Sequence, residues 1–273
     1  MVIRAWTAPQ ATGVLIERER AIGLSDHSTP NHDHGMRDAD GQARESARLR
    51  LGVVVPTLNA AGHLPACLRA LGAARRPRLD LVVVDGGSSD GTAVLARRLG
   101  ARVLSAPRGR GTQLAAGARM VEGDWLLFVH ADTVLGAGWL DAALGFAAVP
   151  DHAERAAYFR FALDDRRAAA RALEAVVVWR CRILGLPYGD QALLLARSFY
   201  ERLGGFRPLP LMEDVDLVRR IGHRRLVELP IEARTSAERY RRDGYWLRSA
   251  RNLLCLSGYL LGLPPRVVRR LYG

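Results

Sequence analysis

The chain has 273 residues, of which 49% are hydrophobic and 25% charged, a balance typical of a globular protein. The formal net charge of +12 indicates either an anionic partner or an arginine-rich proteome, and charge alone does not separate the two. No uncharged apolar run reaches the roughly 20 residues of a membrane-spanning helix, and Met1–Arg20 lacks the apolar segment of a secretory signal. The cysteines Cys67, Cys181 and Cys255 stand far apart among apolar residues, so we expect reduced core residues of a cytoplasmic protein.

The first 48 residues differ from the rest of the chain in composition. They are polar and rich in turn-forming residues, and they show no sustained hydrophobic periodicity. We therefore predict a disordered or loosely attached arm over residues 1–48. Met36 offers an alternative start, so the sequence leaves open whether residues 1–35 are native.

From Leu51 onward, predicted strands alternate with predicted helices. The β-branched run at 51–56 is typical of a strand buried on both faces. Further strands are predicted at 80–85, 101–106 and 124–132, with helices at about 61–74, 88–100 and 111–121. This alternation predicts βαβ units and a mainly parallel, Rossmann-like central sheet flanked by helices.

After Pro150 the alternation becomes less regular. A strand is predicted at 156–163, a long helix at about 166–184, and a strand followed by a short helix within 189–206. A helix is predicted to start near Glu213 and a strand to cover 224–230. The remaining tail, about 240–271, is predicted to be a basic, aromatic helical extension.

Polar residues cluster at the carboxyl ends of the first four predicted strands. They are Asn59 after the first, Asp85 at the end of the second, Arg108, Arg110 and Gln113 after the third, and His130 and Asp132 at the end of the fourth. A parallel sheet gathers these ends along one edge, where such sheets bind ligands. Each residue alone is ambiguous, because Asp, Ser and Asn also serve as helix caps and turn residues.

Two familiar phosphate-binding motifs are excluded. The segment GGSSDGT at 86–92 has the glycine spacing of a P-loop but carries Thr92 where lysine is required. The segment GRGTQL at 109–114 has Leu114 in place of the third glycine of the dinucleotide fingerprint. A nucleotide would therefore have to be held in another way.

Five segments, taken in order and spacing, resemble a family 2 glycosyltransferase of the GT-A fold. They are VVVPTLNA (53–60), VVVDGGSSDGT (82–92), RGRGTQLAAGA (108–118), GDWLLFVHADT (123–133) and GGFRPLPLMEDVDLVRRI (204–221). The most similar subgroup is that of short, stand-alone transferases described as radical-SAM/selenodomain-associated. The resemblance implies a GT-A domain over 49–233, followed by the helical extension over 234–273. It also implies sugar transfer from a nucleoside diphosphate sugar, usually with inversion.

The resemblance implies a divalent metal at the end of the fourth strand, where the family has a DxD motif. Here the motif reads His130-Ala131-Asp132, so Asp132 keeps the last carboxylate and is the expected ligand of Mg²⁺ or Mn²⁺. Such a cation offsets the charge that develops on the leaving diphosphate. His130 replaces the first carboxylate, and its alternatives are contact with ribose or diphosphate, help in ligating Mn²⁺, or a polar strand end.

The resemblance also places the general base for the acceptor hydroxyl in an ED motif, here Glu213-Asp214. Both residues stand at the start of a predicted helix, whose dipole favours the ionised form that a base requires. The family position favours Asp214 as the base, and the alternative is a simple N-terminal cap. Asp216 is expected to be solvated or structural.

The donor is expected to lie over the ends of strands one to three. The resemblance assigns contacts with the base, ribose or diphosphate to Pro56, Thr57, Asn59, Asp85, Arg108, Arg110 and Gln113. Gly86 stands where relatives commonly have a second aspartate, which leaves the identity of the base open. The segment Gly189-Asp190-Gln191 resembles the acceptor side of relatives, with Asp190 and Gln191 placed for sugar hydroxyls and a surface loop as the alternative.

Two interpretations apply to the tail 239–273, which mixes arginines, aromatic residues and a leucine-rich segment. One is an amphipathic helix on an anionic membrane, near a lipid-linked acceptor at the inner membrane face. The favoured one is a helix that packs its leucine face on the domain or in a homo-oligomer.

Two other function classes compete with sugar transfer. A nucleotidyltransferase usually shows a glycine-rich, lysine-bearing motif after the first strand, and PTLNAAGHLPA lacks it. A nucleic-acid-binding protein fits the charge, but carboxylates gathered at strand ends would repel phosphate unless loaded with metal. The expected partners are thus a nucleoside diphosphate sugar and a small-molecule or lipid-linked acceptor, without specific nucleic acid. The sugar, the acceptor and the oligomeric state stay open.

Overall fold

A sheet of eight strands organises the part of the chain that the computed structural model describes, residues 49–72 and 78–272. The strands are β1 Leu51–Thr57, β2 Leu79–Asp85, β3 Arg102–Ser105, β4 Trp125–Phe128, β5 Thr133–Leu135, β6 Ala156–Leu163, β7 Leu193–Ala196 and β8 Leu226–Thr235. Their order across the sheet is β3-β2-β1-β4-β7-β6-β8-β5. The arm predicted over 1–48 lies outside the described residues.

Helices connect and flank these strands. They are α1 Leu64–Leu71, α2 Thr92–Arg98, α3 Arg110–Met120, α4 Trp139–Ala147, α5 Ala168–Leu184, α6 Arg197–Arg202, α7 Glu213–Ile221, α8 Glu238–Asp243, α9 Tyr245–Leu260 and α10 Pro265–Tyr272. Short 3₁₀ turns cover Pro150–Glu154, Gly189–Gln191 and His223–Arg225. No helix in these described ranges has both the length and the apolar character that crossing a membrane demands.

The parallel half of the sheet confirms the predicted Rossmann-like core. Strands β3, β2, β1 and β4 run parallel to one another, and every residue of β1 is buried. The other half is mixed, because β7 pairs antiparallel with β4 and β6, whereas β6 and β8 are parallel. Val53, Val54 and Val55 of β1 are β-branched and fully buried, as is typical of a strand that is buried on both faces.

Two predicted strand boundaries were wrong. The fourth strand ends at Phe128 rather than Asp132, because the Thr133 amide donates to the His130 carbonyl (3.1 Å) and closes a turn. The motif His130–Asp132 therefore lies in the turn between β4 and β5. The last strand runs beyond the predicted 224–230, since β8 stays paired with β6 as far as Thr235 across a register shift.

The helical tail packs on α7. A cluster of buried side chains joins the segment before α7, α7 itself, α9 and α10: Leu186, Leu211, Met212, Val215, Val218, Cys255, Leu256 and Val268. Cys67, Cys181 and Cys255 are all buried free thiols, as expected of core residues. The structure therefore seats one side of the tail on the domain, directly behind the ED motif.

Candidate active site

The loop after β2 is organised around the Asp85 carboxylate. It accepts hydrogen bonds from the Thr57 hydroxyl (3.0 Å), the Gly87 amide (3.1 Å), and the amide (2.9 Å) and hydroxyl of Ser88. Burial acts to raise the pKa of Asp85, but the hydrogen bonds from Ser88, Thr57 and Gly87 outweigh it and lower that pKa. The carboxylate is thus ionised and engaged by the protein, and a donor base that hydrogen-bonds to it would have to share it.

The loop after β1 is held against the same turn. The Asn59 amide donates to the Ser88 hydroxyl (2.9 Å), and the Asn59 side-chain oxygen accepts from the Ser89 amide (2.9 Å). Pro56 and Thr57 are buried within β1, whereas Asn59 is exposed at the edge of the site. Asn59 lies nearest to solvent of these three predicted donor contacts.

The Gln113 side chain is buried beside the carboxyl ends of β1 and β2. Its buried amide nitrogen donates to the carbonyls of Thr57 (2.7 Å) and Val84 (2.8 Å), which ties β1 to β2. Both amide hydrogens are therefore taken, and Gln113 supports the donor side rather than facing it. Arg108 is exposed in the loop before α3 and is open to solvent on that side.

Arg110 links α3 to the ED motif. Its guanidinium forms an ion pair with the buried Glu213 carboxylate. Burial acts to lower the pKa of Arg110, but Glu213 and Asp214 raise it above its usual value, so the side chain stays charged. Burial raises the pKa of Glu213, and the Arg110 guanidinium opposes that rise. Asp214 is the acidic residue of the motif that lines the pocket beside His130.

His130 is neutral at physiological pH. Burial lowers the pKa of His130 to about 4, and the nearby Arg110 adds to the effect against the opposing influence of Asp132 and Asp214. Its ring lies directly on Gly189, where a Cβ atom would overlap the ring. A neutral imidazole has one donor and one acceptor nitrogen and adds no charge to the site.

The two aspartates of the predicted motifs differ in their engagement. Asp214 lies in the first turn of α7, where its carboxylate accepts from the amides of Gly189 (2.8 Å) and Val215 (2.8 Å). The Asp132 carboxylate makes no hydrogen bond or ion pair with another described residue. Its backbone carbonyl accepts from the Ser236 amide (3.2 Å), which fixes the turn that presents the free carboxylate.

Asp190 and Gln191, the two residues predicted on the acceptor side, have different surroundings. One carboxylate oxygen of Asp190 is buried without a hydrogen-bond partner among the described residues. Burial raises the pKa of Asp190 to about 6; Arg180 opposes this rise, and Asp214 and Asp132 add to it. Gln191 instead faces inward, with its amide donating to the Phe159 carbonyl (3.3 Å). Gln191 is buried, and its predicted contact with sugar hydroxyls stays a prediction.

The sequence prediction missed Arg180 and Tyr188. The Arg180 guanidinium stacks over the Tyr188 ring at 3.5 Å and donates to the Gln191 side-chain oxygen (3.2 Å) and the Leu186 carbonyl (2.9 Å). Arg180 lies inside the long helix α5, away from any strand end, so no local motif marked it. Asp216, expected to be solvated or structural, is structural: it is buried and paired with Arg207 and Arg220.

Three non-glycine residues with positive φ border the site. They are Asn59 (φ 51°), Ala192 (φ 52°) and Met212 (φ 65°). Each follows or precedes a segment that carries a site residue: β1, the Gly189–Gln191 turn and α7. A small pocket between these segments is lined by Leu114, Phe128, His130, Pro187, Tyr188, Gly189, Ala192, Leu193, Phe206, Asp214 and Val218.

The donor atoms present fit a metal that is shared with a phosphate ligand. In residues 49–72 and 78–272, no group of three or more His, Cys, Asp or Glu side chains could hold a metal ion by itself. The free carboxylate of Asp132 nevertheless offers oxygen ligands, and Mg²⁺ commonly binds through one or two carboxylates together with substrate phosphates.

Comparison with known families shows what the part of the chain around this site is similar to. Residues 52–179 match the model of the family described as Glycosyl transferase family 2. Somewhat less than half of the chain is therefore similar to a family 2 glycosyltransferase domain. The match covers β1 to most of α5, including Asp85, Arg110, His130 and Asp132, and ends before Asp190 and Asp214.

Curated relatives match part of the chain. The PGL/p-HBAD biosynthesis glycosyltransferases of Mycobacterium bovis and Mycobacterium tuberculosis are 37% identical to it over 90 residues. That match spans 30% of this chain and 35% of the relatives, so about a third of their length is compared.

Solved structures extend the likeness to most of the chain at the level of the fold. A mannosyltransferase of Pyrobaculum calidifontis, in complex with GDP-Man and Mn²⁺, has a TM-score of 0.56 at 20% identity and covers 81% of this chain and 68% of its own. Glucosyl-3-phosphoglycerate synthase of Mycobacterium tuberculosis, with Mn²⁺ and UDP, scores 0.52 at 20% identity over 76% and 77%. S. aureus TarS scores 0.55 at 16% identity over 82% and 69%. The domain therefore has the GT-A fold.

Proposed function

We propose that this protein transfers a sugar from a nucleoside diphosphate sugar to an acceptor hydroxyl, with inversion and with Mg²⁺ or Mn²⁺. The observation that carries the proposal is that His130 and Asp214 line one pocket at Gly189, beside Arg110 and the turn that carries Asp132, in a chain whose residues 52–179 match family 2. The solved neighbours that hold Mn²⁺ with UDP or GDP-Man support the donor class and the cation.

Each group has a defined task in this proposal. Asp132 would hold the cation, which would supply a Lewis acid for the charge on the departing diphosphate. Arg110 adds a fixed positive charge beside that position, since its pKa stays high. His130 offers a neutral hydrogen-bonding edge to the ribose or diphosphate. Asn59, Asp85 and Arg108 border the donor on the side of β1 to β3.

Asp214 is the proposed general base. It lies at the start of α7, and the amide of Gly189 orients its carboxylate. Asp190 is the competing candidate, because its unpaired oxygen and a pKa of about 6 also suit a proton acceptor. The family position and the ED motif favour Asp214, and Asp190 is then the residue that positions the acceptor hydroxyl.

A thermal-shift screen tests the donor and the metal together. The full chain is heated with UDP-glucose or GDP-mannose, each with and without Mn²⁺, and compared with an Asp132→Asn variant. A ligand at 100 times its Kd stabilises the fold by about 2.7 kcal/mol, so the wild type is expected to show a clear Mn²⁺-dependent shift with one nucleotide sugar. Asp132→Asn should lose the Mn²⁺-dependent part.

An exposed aspartate provides the matched control. Asp141→Asn in α4 is expected to retain the full shift, because that side chain is exposed on a helix away from the site. Absence of any shift with nucleotide sugars, together with salt-sensitive binding of oligonucleotides, would sink the proposal in favour of a nucleic-acid-binding protein.

A further inference from the structure

Helix α9 is apolar on two opposite sides. Cys255 and Leu256 point inward and are buried in the cluster with α7. Trp246, Leu253 and Leu261 at its other side are 76%, 62% and 85% exposed. Helices with apolar residues on all sides are normally covered on all sides. The outward side of α9 thus lacks a cover in the described part of the chain.

The exposed apolar surface extends from α9 onto two neighbouring helices. On α5, Val176, Trp179 and Ile183 recur at helical spacing and are exposed, and α9 packs beside α5 through Tyr245 and Val177. On α10, Val267 and Leu271 are exposed one turn apart. We call this surface the outer apolar face, defined by Val176, Trp179, Ile183, Trp246, Leu247, Leu253, Leu254, Leu260, Leu261, Val267 and Leu271.

Arginines without acidic partners border the outer apolar face. No Asp or Glu occurs between Tyr245 and Tyr272. Arg266, Arg269 and Arg270 on α10 are exposed, as is Arg182 on α5, and none of the four forms an ion pair with another described residue. The surface therefore joins exposed tryptophans and leucines to a strongly positive border.

We propose that the outer apolar face seats the protein on an anionic lipid surface. Apolar side chains of a surface helix enter the boundary between headgroups and acyl chains, tryptophans favour that depth, and arginines bind the anionic headgroups. A second copy of this chain is a poorer occupant. A two-fold interface places the same surface on itself, which would bring the arginines of both copies together without an acidic residue between Tyr245 and Tyr272 to offset them.

The outer apolar face lies outside the candidate active site. Cys255 and Leu256 of α9 belong to the same buried cluster as Val215 and Val218 of α7, the helix that begins with Glu213-Asp214. Lipid binding goes beyond the proposed sugar transfer and does not depend on it. If both hold, the acceptor hydroxyl is reached close to the lipid surface.

Co-sedimentation of the full chain with vesicles tests whether the outer apolar face binds an anionic lipid surface. Vesicles of phosphatidylcholine alone are compared with vesicles that contain phosphatidylglycerol. The wild type is expected to sediment with the anionic vesicles at least tenfold more strongly than with the neutral ones. The double variant Trp246→Glu/Leu253→Glu should lose at least tenfold of that binding, and Arg269→Gln/Arg270→Gln should weaken binding to anionic vesicles. Val94→Glu, at an exposed valine on α2, is the matched control and should bind as the wild type does.

Two results would overturn the proposal. One is a wild type that stays in the supernatant with anionic vesicles. The other is an oligomeric wild type, measured by sedimentation velocity, that becomes monomeric in the double variant, while no variant changes vesicle binding. That result would assign the outer apolar face to a second copy of the chain. The nucleotide-sugar shift is measured on the same variants. A variant that keeps this thermal shift has an intact fold and donor site. A wild type that binds vesicles but shows no thermal shift would contradict the proposed sugar transfer and leave the proposed lipid binding standing.

Discussion

Asp132, Asp190 and Asp214 are three carboxylates of one site with three different states. The Asp132 carboxylate has no partner among the described residues, Asp190 has one oxygen buried and unpaired among them, and the Asp214 carboxylate accepts from two backbone amides. These states match the tasks of metal ligand, acceptor contact and oriented base. The sequence could indicate Asp132 and Asp214 from their motifs, but it could not show that Glu213 is occupied by Arg110, because that pair joins residues far apart in the chain.

Asp214→Asn is expected to lower donor turnover by about 10² or more, because the amide cannot accept the proton of the attacking hydroxyl. Release of nucleoside diphosphate is measured with water as the acceptor. The nucleotide-sugar thermal shift should stay unchanged, since the amide oxygen can still accept from Gly189. Wild-type turnover in Asp214→Asn, with the large loss found in Asp190→Asn instead, would transfer the role of base to Asp190.

At the scale of helices and strands, glycine residues allow a helix to lie close to the sheet. Helix α3 rests on the sheet at Gly117, where a Cβ atom would overlap Val54. Periodicity predicted α3 and its neighbours in β1 and β2 almost to their observed ends, because each is long and strongly patterned. It failed at 124–132, since an apolar run says nothing of the turn hydrogen bond that ends β4 at Phe128.

Gly117→Ala is expected to destabilise the protein although alanine is the better helix former. The added methyl group would overlap Val54 and Val84, and such overpacking lowers the free energy of unfolding by about 1–3 kcal/mol. Gly145→Ala in α4 is the matched control. No atom lies near its added methyl group, so the helix should gain up to about 1 kcal/mol. Urea unfolding measures both, and equal signs for the two variants would contradict this account of α3.

At the scale of the whole molecule, one side of the tail packs on the domain, and the other side is exposed in the part of the chain that the structure describes. The sequence could predict a basic, aromatic helical extension, but one helix pattern could not show which leucines face α7. The structure separates neighbours: Leu256 is 3% exposed, whereas Leu254 is 57% exposed. The same limit held for Gln113 and Gln191, whose inward orientation depends on tertiary contacts with β1, β2 and β6.

Leu256→Ala is expected to lower the free energy of unfolding by about 2–5 kcal/mol, because it leaves a cavity between α9 and α7. Leu254→Ala removes the same atoms from the exposed side and should stay within about 0.5 kcal/mol of the wild type. Denaturant unfolding of the full chain measures both. A loss in Leu254→Ala as large as in Leu256→Ala would mean that the outward side is already covered in solution.

The positive-φ backbones of Asn59, Ala192 and Met212 have a consequence for how stability is distributed. Each left-handed non-glycine residue costs roughly 1–3 kcal/mol, with asparagine at the low end. All three border the ligand edge, so this edge subtracts from folding stability while the fully buried β1 next to it adds to it. Backbone strain is thus concentrated at the edge of the sheet where the candidate site lies.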